Sequence, residues 1–176
     1  FDMSGKLTPE VRKFIDIIDE VHYNPISKFY NRSGTADAAA AYYNKILSSE
    51  GHRMMFVRRN VLYSSPLYFL QTFVHEGTHA VQDQRAQRYN HEVPKLRRVL
   101  QNMQASGQGK SKKARDLERE IETKLDYVIR WYRGIETEKG RIADISFECE
   151  ATRSEIKAIK AVGGPPGVMA ESGYIR

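Results

Sequence analysis

The stretch that decides the fold is SPLYFLQTFVHEGTHAVQ, residues 65–82. Ser65 ahead of Pro66 is a helix cap followed by a proline at the first helical position. No further proline interrupts the segment through Leu70, Phe73, Val74 and Val81, which predicts a helix running to about Arg88. In that helix His75 and His79 stand one turn apart on the same face, so both imidazoles can reach one ion. Glu76, rotated about the axis, is placed to accept a proton from water on that ion. At about 100° per residue, Phe69, Leu70, Phe73, Gly77, Ala80 and Gln84 gather on one side. The histidines point the other way, Gln82 falls on their side, and Glu76 lies nearer the apolar side. Imidazoles turned away from an apolar face are expected to look into solvent or a cleft.

Working outward, helical signals dominate. Thr8 before Pro9 predicts a first helix carrying Val11, Phe14, Ile15, Ile17, Ile18 and Val21. Thr35 or Asp37 is positioned to cap a second, through the alanine run to Leu47. The strand candidates are Met54–Val57 and, after it, Val61, Leu62 and Tyr63. Pro94 reads as the start of a third long helix, broken by the polar, glycine-bearing tract Ala105–Ser111. A returning arm from about Lys113 to Arg133 aligns Leu117, Ile121, Leu125, Val128 and Trp131. A last helix from about Gly140 to Val162 aligns Ile142, Ile145, Cys149, Thr152, Ile156 and Ile159 before Gly163 and Gly164 stop it. The expected fold class is therefore α+β, mostly α-helical. It comprises one domain over residues 1–176, with a small sheet and a helical hairpin inserted at about 92–133.

The stretch around His75-Glu76-Gly77-Thr78-His79 resembles the active-site helix of the zincin metallopeptidases. Metzincins extend the motif to a glycine and a third histidine, but Gln82 and Arg85 occupy those positions here, which excludes that branch. Phe147-Glu148-Cys149-Glu150-Ala151-Thr152 is similar to the E-x-x-A signature of the gluzincins. The resemblance implies a zincin-like domain in which His75, His79 and Glu148 hold zinc and Glu76 is the catalytic base of peptide hydrolysis. Glu148 also borders the apolar stripe of its helix, as a ligand approaching another helix should. Asp144 and Glu150 remain alternative third ligands. Thr152 departs from the pattern, because gluzincins often place an aspartate there to hold a histidine's outer nitrogen. The oxyanion-stabilising group is left open among Arg153 and the ten tyrosines. The likeness covers these two helices only. The chain is similar to small bacterial metallopeptidase domains, some of which are toxins or translocated effectors.

Composition sets the remaining bounds. At 176 residues and 40% hydrophobic, the chain is long enough for one core and too short for two. No apolar run approaches the roughly 18 residues of a membrane span. Phe1-Asp2-Met3-Ser4 lacks a signal peptide's pattern, so the expectation is a soluble, cytosol-compatible chain. Since it opens without methionine, a leader or further domain can have been removed. The single cysteine, Cys149, excludes an internal disulfide and a thiolate zinc cluster. Its place on the apolar stripe predicts a buried residue, not a nucleophile. His22, His52 and His91 share no ligand spacing, and Tyr127, Trp131 and Tyr132 read as hairpin packing.

The formal net charge is +6. Ten basic residues lie between Arg85 and Arg119 against three acids, Glu92, Asp116 and Glu118, a surplus of seven that leaves the rest of the chain at −1. A solvated surface is the default for such a run. Docking of an acidic protein substrate is the functional expectation. The alternative from another class is a basic binding module for nucleic acid or acidic protein with an incidental histidine pair. Nucleic acid is the weaker partner, since no interleaved aromatics or RNA-recognition signature accompany the charge.

Overall fold

In a computed structural model, the described residues are 9–23, 40–43, 53–57, 61, 63, 65–136 and 145–164. They form α1 (Pro9–Ile17), β1 (Glu20–Tyr23), β2 (Ala40–Tyr43), β3 (Met54–Val57), α2 (Pro66–Ala105), α3 (Lys112–Glu136) and α4 (Ile145–Ala161). The expected mostly helical α+β architecture is present.

The sheet has strand order β1-β3-β2. β1 runs parallel to β3, pairing Glu20 with Met54, and β2 runs antiparallel to it, pairing Tyr43 with the same residue. All four side chains of β3 are buried, as a central strand with both faces covered requires. Met55 and Val57 join Val61 in a cluster closed by Ile18, Tyr68, Phe69 and Phe73, which seats the sheet on the first turns of α2.

Four sequence expectations are corrected here. Val21 leaves the helical pattern and enters β1, because α1 ends at Ile17. Ala40–Tyr43 is a strand, not part of a helix from Thr35 to Leu47; the hydrogen-bonding edge of β3 outweighs the helix propensity of alanine. Thr35, Asp37 and Leu47 lie outside the described residues. Val61 and Tyr63 are not in a strand: Val61 is helical and fully buried beneath β3, and Tyr63 sits in an exposed turn.

The fourth correction is Pro94, which starts nothing. It lies inside α2, a single helix of 40 residues. A proline forfeits one backbone hydrogen bond and strains the preceding turn. Packing continues on either side of it, with Val93 and Met103 on α2 buried along with Ala114 and Ile121 on α3. The hairpin therefore grows from the histidine helix itself.

The helix ends follow their local chemistry. Ser65 Oγ accepts from the Tyr68 N–H at 3.2 Å, and Pro66 needs no partner at the first position. At the hairpin tip Gly107 adopts φ 76°, with Gly107 N donating to Gln104 O at 3.1 Å and Gln108 N to Met103 O at 2.8 Å. Gly163 repeats this paired closure at the end of α4, where φ is 70°. Ser111 Oγ caps α3 through the Ala114 N–H at 3.2 Å.

Helix α2 is the hub, packing against α1, β2, α3 and α4. Phe14 of α1 lies so close to it that a Cβ on Gly77 would stand 2.6 Å from the Phe14 ring. Gly77→Ala should therefore destabilise the protein by about 1–3 kcal/mol through overpacking, despite alanine's better helix propensity. A lowered urea midpoint with unchanged slope is the expected reading.

Candidate metal centre

The face of α2 opposite α1 packs against helix α4, which leaves the His75 and His79 side chains partly exposed, at 19% and 14%. Gln82 is fully buried, and its amide N–H donates to Phe147 O at 3.0 Å and to Glu150 Oε2 at 3.1 Å, tying the two helices together. With its N–H groups committed to α4, the amide turns Oε1 towards the His79 ring. His79 Nδ1 donates to that oxygen at 2.8 Å. The tautomer this selects leaves the Nε2 lone pair of His79 free for a ligand role.

His75 is held from its other nitrogen in the same way. Nδ1 bonds Glu155 Oε1, and Glu155 is itself buried and accepts from Gln71 Nε2 at 2.8 Å. The two rings are nearly perpendicular, at 78°, with Nε2 atoms 3.1 Å apart. Glu148 of α4 meets both, Oε2 lying 3.2 Å from His75 Nε2 and Oε1 3.4 Å from His79 Nε2.

Donor atoms of His75, His79 and Glu148 thus fall within 4.8 Å of one another, a group that can hold a metal ion. The donor chemistry fits such an ion. Two imidazole nitrogens at 3.1 Å repel unless a proton or a cation lies between them, and a carboxylate faces both. In the metal-free protein a proton takes that role. Burial of His75 opposes its charge, but hydrogen bonds to Glu148 and Glu155, with the nearby charge of Glu76, push its pKa up to about 10. Burial would raise the Glu148 carboxyl, yet the His75 hydrogen bond and the electrostatic attraction of the two imidazoles hold it below the usual carboxylate value.

Of the alternative third ligands, Glu150 turns away to Arg85, 3.2 Å from its Nη2, and to Gln82. Asp144 lies outside the described residues. Glu76 is half-buried beside His75 and stands outside the three-residue donor group. Cys149 corrects an expectation: it is exposed. The buried face of α4 comprises Phe147, Ala151, Thr152, Glu155 and Ile159, rotated from the predicted stripe, because α4 packs its phenylalanine and its carboxylates towards α2. Glu148 still borders that face. Arg153 is exposed on α4, and His91 is exposed on α2.

Motif spacing does not reveal Glu155. Thr152, where an aspartate was the family expectation, is buried with its hydroxyl unpartnered among the described residues. The imidazole is instead held from the next turn, by Glu155. The available signal was Glu155 standing two turns after Glu148, hence on the same face. Glu155→Gln should lower metal affinity by about 10–100-fold, the usual effect of losing a carboxylate behind a ligand histidine. Competition against a chromogenic chelator measures it, and unchanged affinity would remove Glu155 from the site.

Helix α3 approaches the site on the His79 side. The Trp131 ring lies 6.4 Å from that of His79, and its indole N–H donates to the fully buried Asp83 at 3.1 Å. Phe147 meets Trp131 edge-on at 5.2 Å. Tyr127 donates its hydroxyl to Gln82 O at 3.3 Å, and burial pushes its pKa up to about 12, so it remains a donor at neutral pH. The aromatics of α3 are packing residues, as the sequence predicts, and their packing reaches the histidines. No helix among the described residues is long and apolar enough to cross a membrane. Comparison with family models, curated proteins and solved structures finds no match to this chain.

Proposed function

We propose that the chain is a zinc-dependent endopeptidase with a gluzincin-like ligand set. The observation that carries this reading is the meeting of two Nε2 atoms from one helix with a carboxylate from another, each imidazole held from behind. Two imidazoles and one carboxylate suit zinc and leave room for a fourth ligand. Zinc held there supplies Lewis acidity, lowering the pKa of water towards about 7 and polarising a substrate carbonyl.

The protein's own groups do the rest. Gln82 and Glu155 fix both rings and keep their Nδ1 protons in place. Glu76, beside His75 on α2, takes the proton of the attacking water at its carboxylate and returns it to the departing amine. Trp131 and Phe147 limit water on the α3 side, which strengthens the electrostatics of the site.

Purified protein should hold about one zinc per chain. It should cut an unfolded protein substrate until a chelator is added, and His75→Ala should bind no zinc. Wild-type protein that stays metal-free in excess zinc would overturn the proposal.

A further inference from the structure

The basic surplus sits on one part of the molecule. Residues 95–119, the distal half of the hairpin, hold eight Lys or Arg and two acids, Asp116 and Glu118. Their surplus of six equals the formal +6 of the whole chain, so the remainder balances to zero. Lys95, Arg97, Arg98, Lys112, Lys113 and Arg115 are all exposed. One of the two acids is already answered, with Asp116 at 2.7 Å from Arg119. Towards the base of the hairpin the charges pair instead, Lys124 binding both Glu92 and Glu120. The distal arm thus presents an uncompensated positive field to solvent.

The chemistry of the arm selects among anionic partners. Residues 95–119 contain no aromatic side chain, so the arm has no platform for stacking bases. Val99 is 47% exposed one helical turn from Lys95, an apolar contact that suits a peptide side chain better than a phosphate backbone. Continuity of α2 through Pro94 fixes the arm relative to the metal centre. From His79 the helix runs about 24 Å to Lys95 and about 39 Å to Ala105 at its usual rise. An extended peptide covers that path with roughly 7–12 residues.

We propose that the distal hairpin is a docking site for an acidic segment of the polypeptide substrate, roughly 7–12 residues from the bond cleaved at the metal centre. This rests on the peptidase reading for its substrate, but the docking itself does not depend on metal. Electrostatic attraction over the arm recruits the acidic segment, and the rigid helix sets its distance from the site.

The test uses the full chain and a labelled peptide of twelve glutamates, read by fluorescence anisotropy at low salt. Binding should weaken as salt rises. It should fall at least tenfold in the variant Arg97→Glu, Arg98→Glu, Lys113→Glu, and stay unchanged in Glu76→Gln. Equal binding by the charge-reversed variant would overturn the proposal. So would tighter binding of a DNA duplex matched in charge, which would make the arm a nucleic-acid surface. The second readout is cleavage of an unfolded substrate with and without the same twelve-glutamate tail. The tail should accelerate cleavage by wild type only, leaving the untailed rate equal in the charge-reversed variant. Absence of all cleavage in zinc-loaded protein would reject the peptidase reading, while the anisotropy result would still decide the docking.

Discussion

Glu76→Gln is expected to keep zinc at about one per chain and to lose peptide hydrolysis by about 10²–10⁴-fold, the contribution of a positioned proton acceptor. Retention follows from the ligand geometry. The donor group comprises His75, His79 and Glu148, and the two rings are held by Glu155 and Gln82, so none of these contacts passes through Glu76. Loss follows from chemistry. Glutamine matches the shape of glutamate but cannot take a proton from water or deliver one to the leaving amine. Metal content by mass spectrometry, measured with kcat on one preparation, separates the two effects. Unchanged kcat would move the base elsewhere; lost metal would make Glu76 structural.

Glu148→Ala is expected to weaken zinc binding by more than about 100-fold, exceeding the usual loss for a group behind a ligand. It removes the charged donor of the set and the contact that brings α4 to both Nε2 atoms. Glu150→Ala, by contrast, breaks contacts to Arg85 and Gln82 and should cost less than tenfold. Full affinity in Glu148→Ala, with loss in Asp144→Ala or Glu150→Ala, would displace Glu148 as the third ligand.

The same site fixes the sign of a pH dependence. His75 Nε2 must lose its proton to bind metal, and in the metal-free protein its pKa is pushed up to about 10 from 6.5 by Glu148 and Glu155, against burial. Zinc affinity should therefore rise by about tenfold per pH unit from neutrality towards pH 10, with a proton released on binding. Metal-free stability should move the other way. The folded pKa lies above the unfolded one, so the stabilisation is complete below about pH 6.5 and is lost as pH rises through about 10. Calorimetry in buffers of different ionisation enthalpy counts the proton, and thermal midpoints of metal-free protein follow the stability.

The part of the centre written locally was legible in the sequence. His75 and His79 are brought together by helical rise alone; Ser65-Pro66 starts their helix α2, and the paired glycines at 163–164 end α4, through backbone chemistry. Met54–Val57 announced itself as a strand through an unbroken apolar run. Where local preference competed with long-range pairing, the sequence misled. The alanines at 40–41 favour a helix until the edge of β3 offers hydrogen bonds. Pro94 ordinarily ends a helix unless α3 packs across it on both sides. Cys149 and Phe147 exchange roles because the docking angle of α4, which its periodicity leaves undetermined, chooses the inner face.

By itself, then, the sequence determined a helix with two histidines on one face, a later helix carrying acids, and a basic stretch between them. Only the tertiary structure decided that Glu148 faces the histidines while Glu150 turns to Arg85. It also decided that Glu155 and Gln82 hold the rings, and that the basic arm is a continuation of the histidine helix. The physical reason is one of range. Helical rise and capping act over three or four residues and can be read along the chain, whereas a carboxylate 73 positions beyond His75 is aimed only by how α4 packs on α2.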